Sequence, residues 1–348
     1  MKHVLKILKK GGVVAVPTDT VYGLIALADN RQAVEKIYSI KRRPRYKPLP
    51  VFVEDIESAI KLLRDVPDYA IRLMEAFWPG PLTVVGYASP EAPQLAVSPE
   101  GKIGIRIPCG KEIREILQTI KVPLVSTSAN ISGSPPLRSG DEVKSVLGEE
   151  IDYVVEGHTG ALASTVVEIT AKQPKILRKG KIGIMDIEKR LDIEVKLAES
   201  LNLSVLYICT GNTCRSPMAE WISRRLTINC KNIIYNSRGT NTIPGYPPPD
   251  EVVMVLKEIG IDIESHQSQQ LERQDIEAAD LIICMEHKHV LQIPESYRVK
   301  TVLLSGGSED IEDPIGRGLA FYQLIRDKIL YYLENIWVPY FRRKFEHC

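Results

Sequence analysis

The stretch from Cys209 to Ser216, reading Cys-Thr-Gly-Asn-Thr-Cys-Arg-Ser, constrains this chain more than any other. It sets Cys209 and Arg215 at the two ends of a short loop with Gly211 between them. The apolar run Leu203 to Ile208 precedes the loop, and the helix-forming Pro217-Met218-Ala219-Glu220 follows it. Strand, tight loop and helix in that order turn successive backbone N–H groups inward, which makes an anion cradle. Thr210, Gly211, Asn212, Thr213, Cys214 and Ser216 form and support that cradle. Arg215 adds a planar, two-pronged donor suited to phosphate oxygens. The same positive field favours the thiolate of Cys209, its nucleophilic form. A loop so built takes a phosphoryl group onto sulfur.

From about Leu203 to the C-terminus these residues resemble the low-molecular-weight protein tyrosine phosphatase family. The resemblance implies that Cys209 attacks phosphorus, that Arg215 and the loop amides hold the oxyanions, and that no cofactor takes part. It also implies an acid in a downstream Asp-Pro pair, here Asp313-Pro314, which protonates the leaving group and then activates water. Proline stiffens the loop that presents this carboxylate. Ser237 and His266 fall where the family has supporting residues, although a plain structural role suits them equally.

Two positions bear on the substrate. Ile315 follows the Asp-Pro pair where tyrosine phosphatases usually carry an aromatic residue, and Thr213 stands where many of them have an aliphatic one. The run from Cys209 to Glu220 resembles the protein arginine phosphatase branch. A threonine hydroxyl orients a water or accepts a bond from a guanidinium N–H, which an aliphatic side chain does not. The reading leans to a phosphoarginine protein, with a phosphotyrosine protein as the alternative. A third reading is thiol-dependent arsenate reduction, which needs further cysteines to relay a disulfide. Cys284 lies in the apolar run Leu281 to Met285, and no cysteine follows it before Cys348, so the relay is incomplete. Cys214 is instead placed to form a reversible disulfide with Cys209 and shield it from over-oxidation.

A chain of 348 residues exceeds one typical core, so two domains are expected. Its 45 basic and 44 acidic residues advertise neither nucleic acid nor membrane as a partner. The six cysteines show no repeated pair spacing, which argues against a disulfide framework and a structural zinc site. Reduced thiols suit the cytoplasm. No segment reaches membrane-spanning length without a charge, and lysines interrupt the apolar N-terminus, which does not read as a secretory signal.

The first half has its own motifs. Val13 to Val16 reads as a buried strand running into Pro-Thr-Asp-Thr-Val-Tyr-Gly-Leu, residues 17–24, a polar turn suited to a small pocket. After a helical segment, Arg31 to Ser39, five cations fall within seven positions, Lys41 to Lys47. Crowding them is costly unless they face an anion. A strand then carries Arg106. The run Ser126-Thr127-Ser128-Ala129-Asn130 follows the apolar Val122 to Val125, and Ser164 and Arg178 come further on.

Together, over about Val4 to Ile184, these motifs resemble the Sua5/YrdC/YciO family of threonylcarbamoyl-adenylate synthases. Lys41-x-Arg43 followed by Ser128-x-Asn130 carries the match. The resemblance implies that threonine's amine captures bicarbonate or CO2, and that the carbamate then attacks the α-phosphorus of ATP. The adenylate passes to a system that modifies tRNA. Lys41, Arg43 and Lys47, helped by Mg²⁺, are expected on the triphosphate, and Ser128, Asn130 and Arg178 on the nucleotide. Arg106 is expected on the threonine carboxylate, with Thr20, Ser126 and Ser164 orienting its polar atoms. No protein side chains are expected to ligate a metal. Phe52 stands where some members carry a histidine. An RNA-binding module without synthase chemistry is the competing reading.

The fold expected is α/β throughout. Residues 1–186 form a twisted mixed sheet, 187–202 a connector, and 203–348 a doubly wound parallel sheet.

Overall fold

The computed structural model describes residues 1–348. The chain forms two units, one of Met1–Gly183 with Ile187–Val195, the other of Ile184–Asp186 with Lys196–Cys348. No helix is long and apolar enough to cross a membrane.

The first unit is built on β1 (Val14–Val16), β2 (Gly23–Leu27), β3 (Val51–Phe52), β4 (Leu63–Arg64), β5 (Leu82–Ala88), β6 (Lys102–Arg106), β7 (Leu124–Ser128), β8 (Tyr153–Val154), β9 (Thr165–Glu168) and β10 (Lys175–Arg178). They run in the order β10-β9-β5-β6-β3-β7-β2-β1-β8, with β4 on β5. The sheet is mixed: β1/β8, β3/β6 and β5/β9 are parallel pairs, while β2/β7 and β5/β6 are antiparallel. The register Gly23↔Ser128 sets the turn before β2 beside the end of β7. Helix Lys2–Lys9 buries Val4 and Leu8, four residues apart, and helix Lys111–Ile120 buries Ile113, Ile116 and Leu117. These stripes pack with Val14, Val16, Ile25, Phe52 and Leu124 into one apolar cluster. Asn30 caps helix Arg31–Lys41 by accepting from Ala33 N, and the helix ends at Arg42 with φ 49°. That left-handed turn delivers Lys41 and Arg43 in different directions.

The second unit opens with β11 (Lys196–Leu197) and contains β12 (Leu203–Cys209), β13 (Ile233–Gly239), β14 (Leu281–Cys284) and β15 (Thr301–Leu303). The last four form an all-parallel sheet in the order β13-β12-β14-β15. Leu206, Ile208, Ile282, Cys284, Ile293 and Leu303 are part of its core. A parallel sheet with crossover helices gathers functional groups beyond its carboxyl ends, where neighbouring connections diverge. Here β12 ends at Cys209, and Met285 and Glu286 directly follow β14.

One expectation is corrected. Cys230 and Cys348 form a disulfide with Cα atoms 4.7 Å apart. Their separation of 118 positions carries no spacing signal, so only folding reveals the pair. Cys109, Cys209, Cys214 and Cys284 are free. Replacing Cys348 by serine is expected to lower the second unit's unfolding free energy by about 2–4 kcal/mol. Denaturant titration with and without reductant measures this, and the variant should no longer respond to the reductant.

Candidate active sites

In the first unit the turn before β2, the ends of β6 and β7 and the start of β9 surround a cavity of about 480 Å³. Thr20, Arg43, Arg106, Ser126, Ser128, Ser164 and Arg178 line it, as do Thr18 and Phe52. Arg106 is buried and held on three sides. Its Nε donates to Gly80 O at 2.9 Å, Nη1 to Thr20 Oγ1 at 2.9 Å and Nη2 to Asp19 Oδ1 at 2.7 Å. Its guanidinium lies over the Phe52 ring at 5.7 Å. Arg178 donates from Nη2 to Ser164 O and Oγ, both at 3.0 Å, and Ser164 Oγ also meets Thr83 Oγ1 at 2.8 Å. A Cβ at Gly180 would sit 2.4 Å from Ser164 C, so only glycine lets the chain after β10 lie this close. Burial, then the charges of Arg106 and Arg43, push Arg178 below the usual guanidinium range. Three guanidiniums thus share one cavity, the field an anionic ligand relieves.

The basic run is less open than its sequence suggests. Lys41 is 2 % exposed. Its ammonium donates to Ser128 O at 2.5 Å and to Asn130 O and Oδ1 at 2.8 Å each, which uses all three hydrogens. Burial pushes it down to about 7, with Arg43's charge adding to the effect. Ser128 Oγ donates to Asn130 Oδ1 at 2.6 Å. Arg43 donates to Lys47 O at 2.9 Å and Pro48 O at 3.0 Å, and Arg45 pairs with Glu35. Lys47 is exposed, and neither it, Lys41 nor Asn130 lines the cavity. Tyr22, part of the same turn, is a structural pin: its hydroxyl donates to Val155 O at 2.6 Å. Asp19, whose partner is Arg106, was the residue a sequence reading passed over. Its signal was a carboxylate in a turn facing a strand arginine. No group of three or more His, Cys, Asp or Glu side chains comes together as a metal site.

In the second unit the loop after β12 closes around Cys209. Its Sγ lies 3.0 Å from Ser216 Oγ and accepts from Asn212 N at 3.2 Å. Asn212 adopts φ 51° and fixes the loop from inside. Its Nδ2 donates to Ser216 Oγ at 3.0 Å and Ser237 Oγ at 2.9 Å, and its Oδ1 accepts from Gln269 N at 2.8 Å. His266 Nε2 lies 2.7 Å from Asn212 O. Ser237 and His266 therefore both support the loop, through one asparagine. Thr242 Oγ1 donates to Gly211 O at 2.6 Å.

Arg215 opens helix Arg215–Leu226 and is 1 % exposed. Nη1 donates to Glu286 Oε1 and to Ile311 O, the latter at 2.8 Å, while Nη2 donates to Asp313 Oδ2. The carboxylate from the Asp-Pro pair thus meets the cysteine loop across 98 residues of sequence. Thr213 Oγ1 lies 3.6 Å from Cys214 Sγ, and burial pushes the Cys214 thiol up to about 12. Cys284 is buried in β14. Glu286 and His289 were not foreseen. Thr210 Oγ1 meets His289 Nε2 at 3.0 Å.

The Sua5/YciO/YrdC family model, described as telomere recombination, matches residues 6–180. The chain belongs to this family. Residues 204–338 match the low molecular weight phosphotyrosine protein phosphatase model, so two families are fused in one chain. The threonylcarbamoyl-AMP synthase of Pyrococcus abyssi is 33 % identical over 184 residues, 52 % of this chain and 54 % of the relative. The chain therefore spans about half the length of that relative. A Methanocaldococcus jannaschii protein provisionally given the same name is 37 % identical over 194 residues, 54 % of this chain and 91 % of the relative. The structure of P. abyssi Sua5 complexed with L-threonine aligns with a TM-score of 0.54 at 20 % identity, covering 99 % of this chain and 94 % of that one. At that identity the likeness is one of fold.

Burial of His289 pushes it down to about 4, with Arg215 and Lys288 adding to the effect and Glu286 and Asp310 opposing it. Its folded value lies below the unfolded one, so the unfolded chain binds more protons between about pH 4 and 6.5. Stability is therefore lost as pH falls through that window, by up to about 1.4 kcal/mol per pH unit. Denaturant titrations at stepped pH should show this slope in the second unit, and His289→Asn should flatten it.

Proposed function

We propose that the chain is a bifunctional enzyme with independent sites. The first unit makes L-threonylcarbamoyladenylate from L-threonine, bicarbonate or CO2, and ATP. The observation that carries this is the cavity ringed by Arg43, Arg106 and Arg178 and by serine and threonine hydroxyls, in a family whose relatives bear the synthase name. Arg106 takes the threonine carboxylate, and Thr20, Ser126 and Ser164 orient the rest of the amino acid. Arg43, Arg178 and Ser128 hold the nucleotide, and Asn130 joins them once Lys41 releases its Oδ1. Lys41 and Lys47 reach the triphosphate once Lys41 leaves its carbonyl acceptors. The carbamate oxygen attacks the α-phosphorus and pyrophosphate leaves, so positioning and charge stabilisation supply the rate. Magnesium would enter with ATP, as the counter-ion of its phosphates. A tRNA-modifying partner consumes the adenylate, which favours a cytoplasmic protein, although the Cys230–Cys348 bridge is of a kind rare in that compartment.

The second unit dephosphorylates phosphoprotein. Cys209 Sγ attacks phosphorus, and Asp313 protonates the departing nitrogen or oxygen. Asp313 then takes a proton from the water that cleaves the S–P bond. To act so, Asp313 releases Arg215 Nη2, freeing that donor for the phosphoryl oxygens. Phosphoarginine is the favoured substrate. Thr213 supplies a hydroxyl at the loop, and Ile315, 59 % exposed after the Asp-Pro pair, has no ring to stack on a phenyl group.

With the full chain, Cys209→Ser should abolish turnover of phosphoarginine and phosphotyrosine peptides and leave threonine-dependent pyrophosphate release unchanged. Arg178→Ala should weaken ATP use roughly ten- to hundredfold in kcat/KM and spare the phosphatase. Joint loss of both activities in either variant refutes independent sites. A preference for phosphotyrosine refutes the arginine assignment, and absence of pyrophosphate release refutes the synthase.

A further inference from the structure

His289 is fully buried; it meets Thr210 at one end of the catalytic loop and, at the other, the residue that pairs with Arg215, Glu286. It sits in the first turn of helix His287–Gln292, where its Nδ1 accepts from Glu286 N at 3.1 Å. An accepting Nδ1 carries no proton, so the ring's hydrogen is on Nε2, which donates to Thr210 Oγ1 at 3.0 Å. Thr210 is the residue after the nucleophile. Glu286 is the carboxylate on Arg215 Nη1, and its other oxygen takes Lys288 Nζ at 2.9 Å. The backbone of Thr210 is tied from the other side, its carbonyl accepting from Asn241 N at 3.0 Å.

We propose that His289 is a positioning residue for phosphoryl transfer. Its neutral ring holds the Cys209 end of the loop, through Thr210, at a fixed distance from Glu286 and hence from Arg215. The inference rests on the phosphatase reading of Cys209. A planar ring with a donor at one corner and an acceptor at the other has no internal torsion to absorb a shift, so the two contacts move together. Protonating Nδ1 removes the acceptor and leaves the Glu286 N–H without its bond. The charged groups facing the ring are Glu286, Arg215, Lys288 and Asp310.

Two variants separate this role from a merely structural one. In His289→Asn the short amide still accepts from Glu286 N and keeps the helix cap, but ends short of Thr210. In His289→Gln the longer amide reaches Thr210 and loses the cap. The full-length protein is assayed with p-nitrophenyl phosphate, with Cys209→Ser as blank, alongside Tm and the affinity for orthovanadate. His289→Asn should keep its Tm and lose roughly tenfold or more in kcat, less than the 10²–10³ for removing a donor on the oxyanion itself. Its vanadate affinity should fall in parallel. His289→Gln should melt earlier and keep activity within a few-fold. Thr210→Val should match His289→Asn, and the double variant should lose nothing further. Nitrogen-15 NMR should show the Nε2–H tautomer from pH 5 to 8.

Equal losses in the two His289 variants, additive losses with Thr210→Val, or an Nδ1–H tautomer overturn the proposal. Absence of Cys209-dependent turnover in the unsubstituted protein instead refutes the phosphatase reading. In that case vanadate affinity across the same variants decides the role of His289.

Discussion

A guanidinium withdrawn from water must find acceptors where it lies, and Arg215 organises the second unit around that need. Breaking a buried charge pair by removing one partner costs about 3–5 kcal/mol. The carboxylates of Glu286 and Asp313 and the carbonyl of Ile311 therefore have to converge on one side chain. Glu286 follows β14, while Ile311 and Asp313 follow β15. The order β13-β12-β14-β15 puts these ends beside the end of β12. Sheet order and catalytic geometry are thus one constraint seen at two scales.

The first unit meets the same demand with different means. Lys41 is surrounded by neutral oxygens rather than by a carboxylate. Arg106 has one carboxylate and two neutral oxygens, and Arg178 has only Ser164. Asp19 neutralises Arg106, while Arg43 and Arg178 are held only by neutral oxygens, which leaves the cavity attractive to an anion. In the second unit the cation has its counter-charges in place, so an anion entering the loop would compete with one of them, Asp313.

What was legible in the sequence follows from how local each signal is. The cysteine loop is contiguous, so strand, turn and helix could be read directly from Leu203 to Glu220. Arg106, Ser164 and Arg178 sit at strand ends and Thr20 in the turn before β2, but in the sequence only the family resemblance drew them together with Ser126 as one candidate site. The direction of a side chain was not legible. Lys41 and Arg43 are two residues apart, and only the left-handed Arg42 shows that one turns into a nest of carbonyls while the other lines the cavity. Glu286 and His289 were hidden for another reason. A short Met-Glu-His after an apolar run carries no motif, and its meaning depends on which strand lies next to β12. Cys230 and Cys348 were equally silent, because their pairing is a property of the folded ends.

That bridge divides the second unit in a way strand order does not. Cys209 and Arg215 lie outside the covalent ring it closes, whereas Glu286, His289, Ile311 and Asp313 lie within it. A backbone nick anywhere inside the ring would leave both pieces joined until a reductant parted them. Asp313 and the supports of Arg215 are thereby protected from a kind of damage that Cys209 and its strand, on the open side of the ring, are not.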